Sequence, residues 1–307
     1  MSITPKIRIG TRGSPLALAQ AHETRDRLMA AHGLDLDAFE IIPFTTTGDA
    51  IRDRPLSEIG GKGLFTKELE EALFAGAIDL AVHSMKDLPA KPPAGLDIAA
   101  MLPREDARDA FISLISDTLV ALPEGAILGS SSVRRTAQAL RLRPDLATAP
   151  FRGNVQTRLK KLQDGVANAT FLAVAGLRRL KLANKITRIM SMDEMLPSVA
   201  QGAIGIQINT RDEVSRRLLA PINHVATKTA VLCERGFMAT LDGSCRTPIA
   251  GHAFIENGRL KFRGEALTLD GRHIFSAMRE GGLNDGVKMG VDAGEEVKAR
   301  GGALISF

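Results

Sequence analysis

Apolar positions along the first half of the chain fall in short runs separated by amphipathic stretches, the pattern of buried strands alternating with surface helices. Lys6 to Gly10 reads as a strand. The next stretch reads as a helix opening at Ser14, a good N-cap, with Pro15 at the tolerated first helical position and Gly33 closing it. There follow an apolar strand around Phe39 to Thr45, a Gly-rich loop at Gly60, Gly61 and Gly63, a helix near Thr66 to Phe74 and a strand from Leu80 to His83. This alternation predicts parallel βαβ units with both sheet faces covered. The pattern restarts after Pro103 with a strand near Ala126 to Gly129, a helix opening at Ser132, a helix from Val155 to Gly165 and a strand from Thr170 to Val174, which predicts a second α/β unit. Val199 to Asn209 is again strand-like and Arg211 to Ala220 helical; the pattern alone leaves open whether the chain returns here to the first unit.

Beyond Pro221 the period changes. A helical stretch from Thr227 to Thr240 precedes alternating strands broken at Asn257-Gly258 and Asp270-Gly271, both favoured hairpin turn pairs, and a last helix runs from about Asp285 to Arg300. This predicts an antiparallel meander with helices on one face.

The 307 residues exceed what one core usually organises, and 44% hydrophobic with 24% charged residues and no low-complexity tract argues against disorder, fibre and coiled coil. The polar start MSITPKIRIG has no apolar signal core and no apolar run reaches membrane-spanning length, so a cytoplasmic location is expected. Cys233 and Cys245 are too few to staple such a chain and should be thiols or thiol adducts. A net charge of +5 and a pI of about 9.4 favour an anionic partner. With no Trp, no Tyr and only 12 Phe, the chain is poor in the stacking platforms that single-stranded nucleic acid needs, so a small anionic substrate is expected instead. No long apolar stripe is left over for a partner, and a monomer is expected.

Ligands of open α/β sheets bind beyond the carboxyl ends of strands. In this chain those places are basic and hydroxylic. Thr11, Arg12, Gly13 and Ser14 follow the first strand, and Ser84, Met85, Lys86 and Asp87 follow the strand ending at His83. Ser130, Ser131, Ser132, Arg134 and Arg135 follow Gly129, and Arg152, Gly153, Asn154 and Arg158 come after the next. Helix N-termini bind anions, and Arg meets a carboxylate in bidentate fashion. Any one cluster reads as a helix cap beside solvated charge; four together at strand ends point to an anion site. Lys62 can reach an anion from its Gly-rich loop, which lacks Walker spacing and otherwise reads as a hinge or lid. Asp87 stands among cations, either as a solvated turn residue before Pro89 or as a buried carboxylate that stabilises a developing cation.

Cys245 sits in the small-residue turn GSCRTP beside Arg246, which favours an accessible nucleophilic thiol, whereas Cys233 lies in an apolar helical run and reads as packed. Neither has metal-type spacing to His224 or His252, so no metal is expected. Two other classes compete with an enzyme. A small-anion receptor has no need of a reactive cysteine, and a nucleic-acid binder calls for a continuous basic stripe rather than charge gathered at strand ends.

Five stretches carry a resemblance: RIGTRGSPLALAQ (Arg8 to Gln20), GGKGLFTKELE (Gly60 to Glu70), AVHSMKDLP (Ala81 to Pro89), RGNV (Arg152 to Val155) and LDGSCRTPIA (Leu241 to Ala250). They resemble the porphobilinogen deaminase family, also called hydroxymethylbilane synthases, over nearly the whole chain and most weakly after about Gly251. The resemblance implies an α/β fold with two periplasmic-binding-protein-like α/β domains plus a smaller α+β C-terminal domain with an antiparallel sheet. The division expected is residues 1–102 with 200–220, residues 103–199, and residues 221–307.

It further implies a transferase of porphyrin biosynthesis. Such enzymes join four porphobilinogen molecules head to tail on a dipyrromethane cofactor, release ammonia at each step and hydrolyse off linear hydroxymethylbilane. The cofactor would hang by a thioether from Cys245. At the matching positions Asp87 would hold pyrrole N–H groups and stabilise the azafulvene cation left when ammonia departs. Ser84, Lys86, Ser130, Ser132, Arg134 and Arg135 would hold the cofactor, and Arg12, Ser14, Lys62, Arg152, Arg158, Arg179 and Gln201 the acetate and propionate groups of substrate. Thr47 departs from the family in standing where an arginine is common, and Arg246 follows the cysteine where Gln or another residue occurs.

Overall fold

Three sheets organise the computed structural model, which describes residues 6–50, 63, 65–241 and 247–305. The first holds β1 (Ile7–Arg12), β2 (Phe39–Phe44), β3 (Leu80–Ser84), β4 (Leu96–Met101) and β10 (Ile204–Asn209). The second holds β5 (Asp109–Ser113), β6 (Ile127–Gly129), β7 (Ala147–Ala149), β8 (Ala169–Ala173) and β9 (Arg188–Ile189). The third is a meander of β11 (Ile249–Glu256), β12 (Arg259–Leu267) and β13 (Ile274–Gly281). Helices are α1 (Pro15–His32), α2 (Thr47–Ala50), α3 (Lys67–Phe74), α4 (Val133–Leu142), α5 (Val155–Gln163), α6 (Val174–Arg179), α7 (Glu213–Leu219), α8 (Val225–Thr240) and α9 (Gly286–Gly301). The chain packs as two compact units: Met1–Ile51, Gly60–Arg104 and Ala203–Lys228 form one, and the other is built on Glu105–Gly202 and Thr229–Phe307.

The first sheet runs β2-β1-β3-β10-β4 and the second β7-β6-β8-β5-β9, the same order twice. β1 pairs parallel with β2 and β3, and β6 with β7 and β8. β10 and β5 run antiparallel to their neighbours. The repeat gives two α/β halves of the same topology, with the three-stranded antiparallel sheet beside them in the chain. The expectation of parallel βαβ units holds for β1, β2 and β3 and for β6, β7 and β8 but is corrected at β5 and β10. β5 opens its sheet in chain order, and β10 joins the first sheet only after the whole second sheet has been made, so neither follows a parallel neighbour through a βαβ crossover. Their direction matters for the site, because the start of an antiparallel strand lies at the carboxyl edge of its parallel neighbours. Ile204 pairs with Ser84 at the end of β3, and Asp109 with Ala173 at the end of β8. β10 also answers the open question of the pattern, since the chain does return to the first unit there.

Local sequence explains the element ends. Ser14 Oγ accepts a hydrogen bond from Ala17 N, and Gly33 ends α1 in the left-handed conformation at φ 63°. Only Ile204–Asn209 of the expected strand from Val199 forms one, because Ala200 and Gly202 turn the chain at φ 60° and 89°. A Cβ on Gly202 would run into the carbonyl oxygen of Glu105, so that turn requires glycine.

The strands bury both faces. Ile9, Leu28, Leu80, Val82, Ile204 and Ile206 share one core on the first sheet. Phe111, Leu128 and Phe171 fill one face of the second, Ile112, Leu172 and Leu177 the other. Each such side chain contributes about 1.5–3 kcal/mol by leaving water. In the C-terminal region α9 lays Gly286, Gly290 and Gly294 against α8, where an added Cβ at Gly290 would meet the carbonyl of Cys233. That close approach buries the Cys233 thiol, and burial together with the charge of Glu234 pushes it up to about 12.

Candidate active site

The first unit gathers its chemistry at the carboxyl ends of β1 and β3. A pocket there is lined by Arg12, Ser14, Gln20, Phe65, Thr66, His83, Ser84 and Asp87. β3 ends in a single turn, Met85–Asp87, which Pro89 prevents from growing into a helix. Met85 is the anchor of that turn. Its side chain is buried against Gly205 of β10, where a Cβ would collide with its sulfur, and its N–H donates to Ala203 O at 3.0 Å. With Met85 pinned inward, Lys86 and Asp87 are held on the outer side of the turn.

Asp87 Oδ2 lies 3.6 Å from Arg12 Nη1, and the Arg12 guanidinium stands 4.2 Å over the ring of Phe65. Its sequence context left open a solvated turn residue and a buried carboxylate, and the Asp87 side chain, which keeps 35% of its exposure, is not the buried one. Gln20 Nε2 donates to Ser84 Oγ at 2.8 Å and fixes that hydroxyl. Thr47 binds Glu68 through both its N–H (2.8 Å) and its hydroxyl (2.6 Å), so this departure from the family is occupied in holding α3.

Behind the pocket, buried His83 places Nε2 3.0 Å from Gln207 Oε1. Burial lowers its imidazole to about 4, with the Gln207 hydrogen bond opposing and the charge of Arg12 adding to the effect. The ring is neutral at pH 7 and donates from Nε2. The unfolded chain takes up this proton near its ordinary value, the folded chain only near 4. Between about 6.5 and 4 the unfolded state therefore binds more protons, and stability falls as pH drops, by roughly 3 kcal/mol across the window. His83→Gln is expected to flatten urea-unfolding stability measured at pH 7 against pH 4.5; an unchanged slope would clear His83 of that role.

The second unit repeats the arrangement with more charge. Ser132 caps α4, its Oγ accepting from Arg135 N, and Ser130 Oγ accepts from Ser132 N. Arg134 and Arg135 in the first turn are only 5% and 6% exposed. Both reach Asp109 at the start of β5: Arg134 Nη2 lies 2.8 Å from Oδ2, and Arg135 donates to Oδ1 from Nη2 (2.7 Å) and Nε (3.1 Å). Gln201 Nε2 adds a bond to the same Oδ1 at 3.0 Å. Burial pushes the Asp109 carboxyl up, but the two guanidiniums and these hydrogen bonds outweigh it and hold the group well below the usual carboxylate range. Burial conversely lowers Arg134, partly offset by Asp109.

Arg158 Nε donates to Gly153 O, Lys161 Nζ to Arg152 O and Arg179 Nη2 to Gly202 O, which ties these basic residues to backbone at the same sheet edge. Of the residues singled out in the sequence, Arg12, Ser14, Ser84 and Asp87 line one pocket, with Lys86 in the same turn, while Arg134, Arg135 and Gln201 meet at Asp109, and Ser132, bonded to Ser130, caps the helix that carries the two arginines. Lys62, Cys245 and Arg246 lie outside the described residues. Sequence reasoning missed Asp109, although an aspartate opening the apolar run DAFIS was a signal of a buried charge in need of cations. It also assigned no role to Gln20 or Phe65.

Two guanidiniums round one buried carboxylate leave one formal positive charge, and hydroxyls stand beside them; this donor set fits a group bearing acetate and propionate chains. Among the described residues, no cluster of His, Cys, Asp and Glu fits a metal ion, and no helix is long and apolar enough to cross a membrane.

Comparison with known proteins agrees with this chemistry. The porphobilinogen deaminase, dipyromethane cofactor binding domain family matches residues 7–217, and the porphobilinogen deaminase, C-terminal domain family matches residues 228–299. A porphobilinogen deaminase of Paracoccus denitrificans (strain Pd 1222) is 58% identical over 96% of this chain and 94% of its own length. A chloroplastic porphobilinogen deaminase of Oryza sativa subsp. japonica is 53% identical over 96% of this chain and 84% of its own length. Among solved structures, the VFT2 domain of Bordetella pertussis BvgS aligns with 70% of this chain and 84% of its own at 14% identity and a TM-score of 0.42. With family matches across both parts of the chain and relatives sharing more than half of its residues, this protein belongs to the porphobilinogen deaminase family.

Proposed function

We propose that Asp87 is the catalytic carboxylate of this enzyme, that Cys245 carries its dipyrromethane, and that the basic clusters of the two units hold the carboxylates of the pyrroles. The observation that carries the first role is Asp87, the one carboxylate among the described residues that line the pocket, beside Arg12 and among hydroxyls, the Gln20 amide and neutral His83.

The reaction of the family removes ammonia from the aminomethyl group of porphobilinogen. The C–N bond breaks with its electron pair going to the departing, protonated amine, and the positive charge left behind spreads over the pyrrole and its N–H. A carboxylate at Asp87 accepts hydrogen bonds from pyrrole N–H groups and balances that charge as it forms. Bound dipyrromethane supplies the anchored pyrrole whose free α-carbon is the nucleophile. Arg12 and Ser14 bind and orient acetate and propionate groups of the substrate next to Asp87. Ser84, Lys86, Arg134, Arg135, Ser130 and Ser132 do the same for the cofactor, and Arg152, Arg158, Arg179, Gln201 and Lys62 for further rings of substrate.

The division into three domains, residues 1–102 with 200–220, 103–199 and 221–307, is part of this reading and is supported by the three separate sheets. A monomer in the cytoplasm belongs to the same reading. The clustering of charge at strand ends supports a small-molecule substrate in place of nucleic acid.

Thiol titration tests the cofactor assignment. The native protein is expected to show no reactive thiol, because Cys233 is buried and Cys245 is taken by the thioether. Unfolding in guanidinium is expected to release the single thiol of Cys233. Two thiols on unfolding would remove the cofactor from Cys245.

A further inference from the structure

Asp109 has no place in the scheme so far, yet its setting is unusual. It is fully buried at the carboxyl edge of β6 and β8, brought there because β5 runs against them. A neutral ion pair would satisfy a structural need. Here one carboxylate faces two guanidiniums, so the cluster holds an excess positive charge away from water, which costs free energy until an anion arrives.

The named contacts also fix both arginines in space. Arg134 Nη1 donates to Leu196 O at 2.8 Å and its Nη2 faces Asp109 Oδ2; Arg135 is held by Asp109 Oδ1 on two nitrogens and by Phe171 O at 2.9 Å on the third. These contacts take two of the five N–H donors on Arg134 and three of those on Arg135, leaving donors for an incoming carboxylate.

We propose that Asp109 is a positioning residue: it locks the Arg134 and Arg135 guanidiniums in the orientation that captures a pyrrole carboxylate, and thereby sets the rate at which the cofactor-free chain acquires dipyrromethane. The idea rests on the function proposed above. It also makes a choice that charge alone would reverse. Removing Asp109 raises the cluster from one excess positive charge to two, which by attraction would speed capture of an anion. Loss of the fixed geometry slows it, and geometry is the stronger effect.

The test uses full-length chain produced without cofactor, as wild type, Asp109→Asn and Asp109→Glu. Each is incubated with porphobilinogen and its mass gain is followed by intact mass spectrometry, normalised to the folded fraction from circular dichroism. Asp109→Asn is expected to gain mass at least about tenfold more slowly, the effect of misaligning one charge-assisted hydrogen bond. Asp109→Glu keeps the charge and is expected to recover most, but not all, of the wild-type rate. If Asp109→Asn does not fold, the comparison of Asp109→Glu with wild type decides. Equal rates per folded molecule would reduce Asp109 to a structural residue, and faster uptake in Asp109→Asn would show that charge governs; either overturns the proposal. A wild-type chain that gains no mass would instead sink the reading on which the proposal rests.

Discussion

Asp87→Asn is expected to fold, to keep its cofactor and to lose turnover by at least about 10²–10³-fold, the scale set by removing one electrostatic stabiliser of a transition state. Nothing in the local packing opposes the change. Asn has the shape of Asp, the side chain is partly exposed, and the turn is held by buried Met85 rather than by the carboxylate. What disappears is the negative charge facing Arg12 at the end of β3. An Asn oxygen still accepts a pyrrole N–H but does not balance a full positive charge, so kcat falls far more than KM changes. Steady-state kinetics with porphobilinogen decides it, and turnover within a few-fold of wild type would sink the catalytic role.

The largest effect on stability is expected at Arg135→Met. The substitution preserves much of the side-chain volume but removes the bonds of Arg135 to Asp109 Oδ1 and to Phe171 O. Breaking a buried ion pair by deleting one partner costs about 3–5 kcal/mol. Arg134 and Gln201 still face Asp109, which places the expected loss at the lower end.

A pH signature accompanies it. The Asp109 carboxyl is held below its ordinary value in the folded chain, so its contribution is present above the unfolded value and is lost as pH falls through the folded one. With one guanidinium gone the folded value rises, and acid unfolding is expected to begin at higher pH. Urea unfolding at neutral pH and an acid titration followed by circular dichroism read both effects. A midpoint unchanged from wild type would mean that the cluster does not hold the second sheet together.

The sequence was legible where local chemistry decides. Ser14, Pro15 and Gly33 bound α1, Ser132 caps α4, and Asn257-Gly258 makes the first hairpin of the third sheet, because caps and tight turns depend on a few adjacent residues. It was opaque where distant partners decide. β5, β7 and β9 are short and take their place only from neighbours in the sheet, and the antiparallel course of β5 and β10 depends on where the chain crosses between strands. The same division holds for the site. Arg12, Ser84 and Asp87 were readable as residues following strands, and the structure lines one pocket with them. Arg134 and Arg135 were readable as cations but not as partners of a single aspartate some 25 residues earlier in the chain, since that pairing exists only once β5 lies beside β8.

The proposed anchoring of the growing product on Cys245 through two linked pyrroles is checked by intact mass under denaturing conditions with peptide mapping. An excess over the 32.8 kDa chain equal to two linked pyrroles is expected on the peptide containing Cys245, with further one-pyrrole increments on brief exposure to porphobilinogen. A chain that stays at its unmodified mass after that exposure, with Cys245 bare, would contradict it.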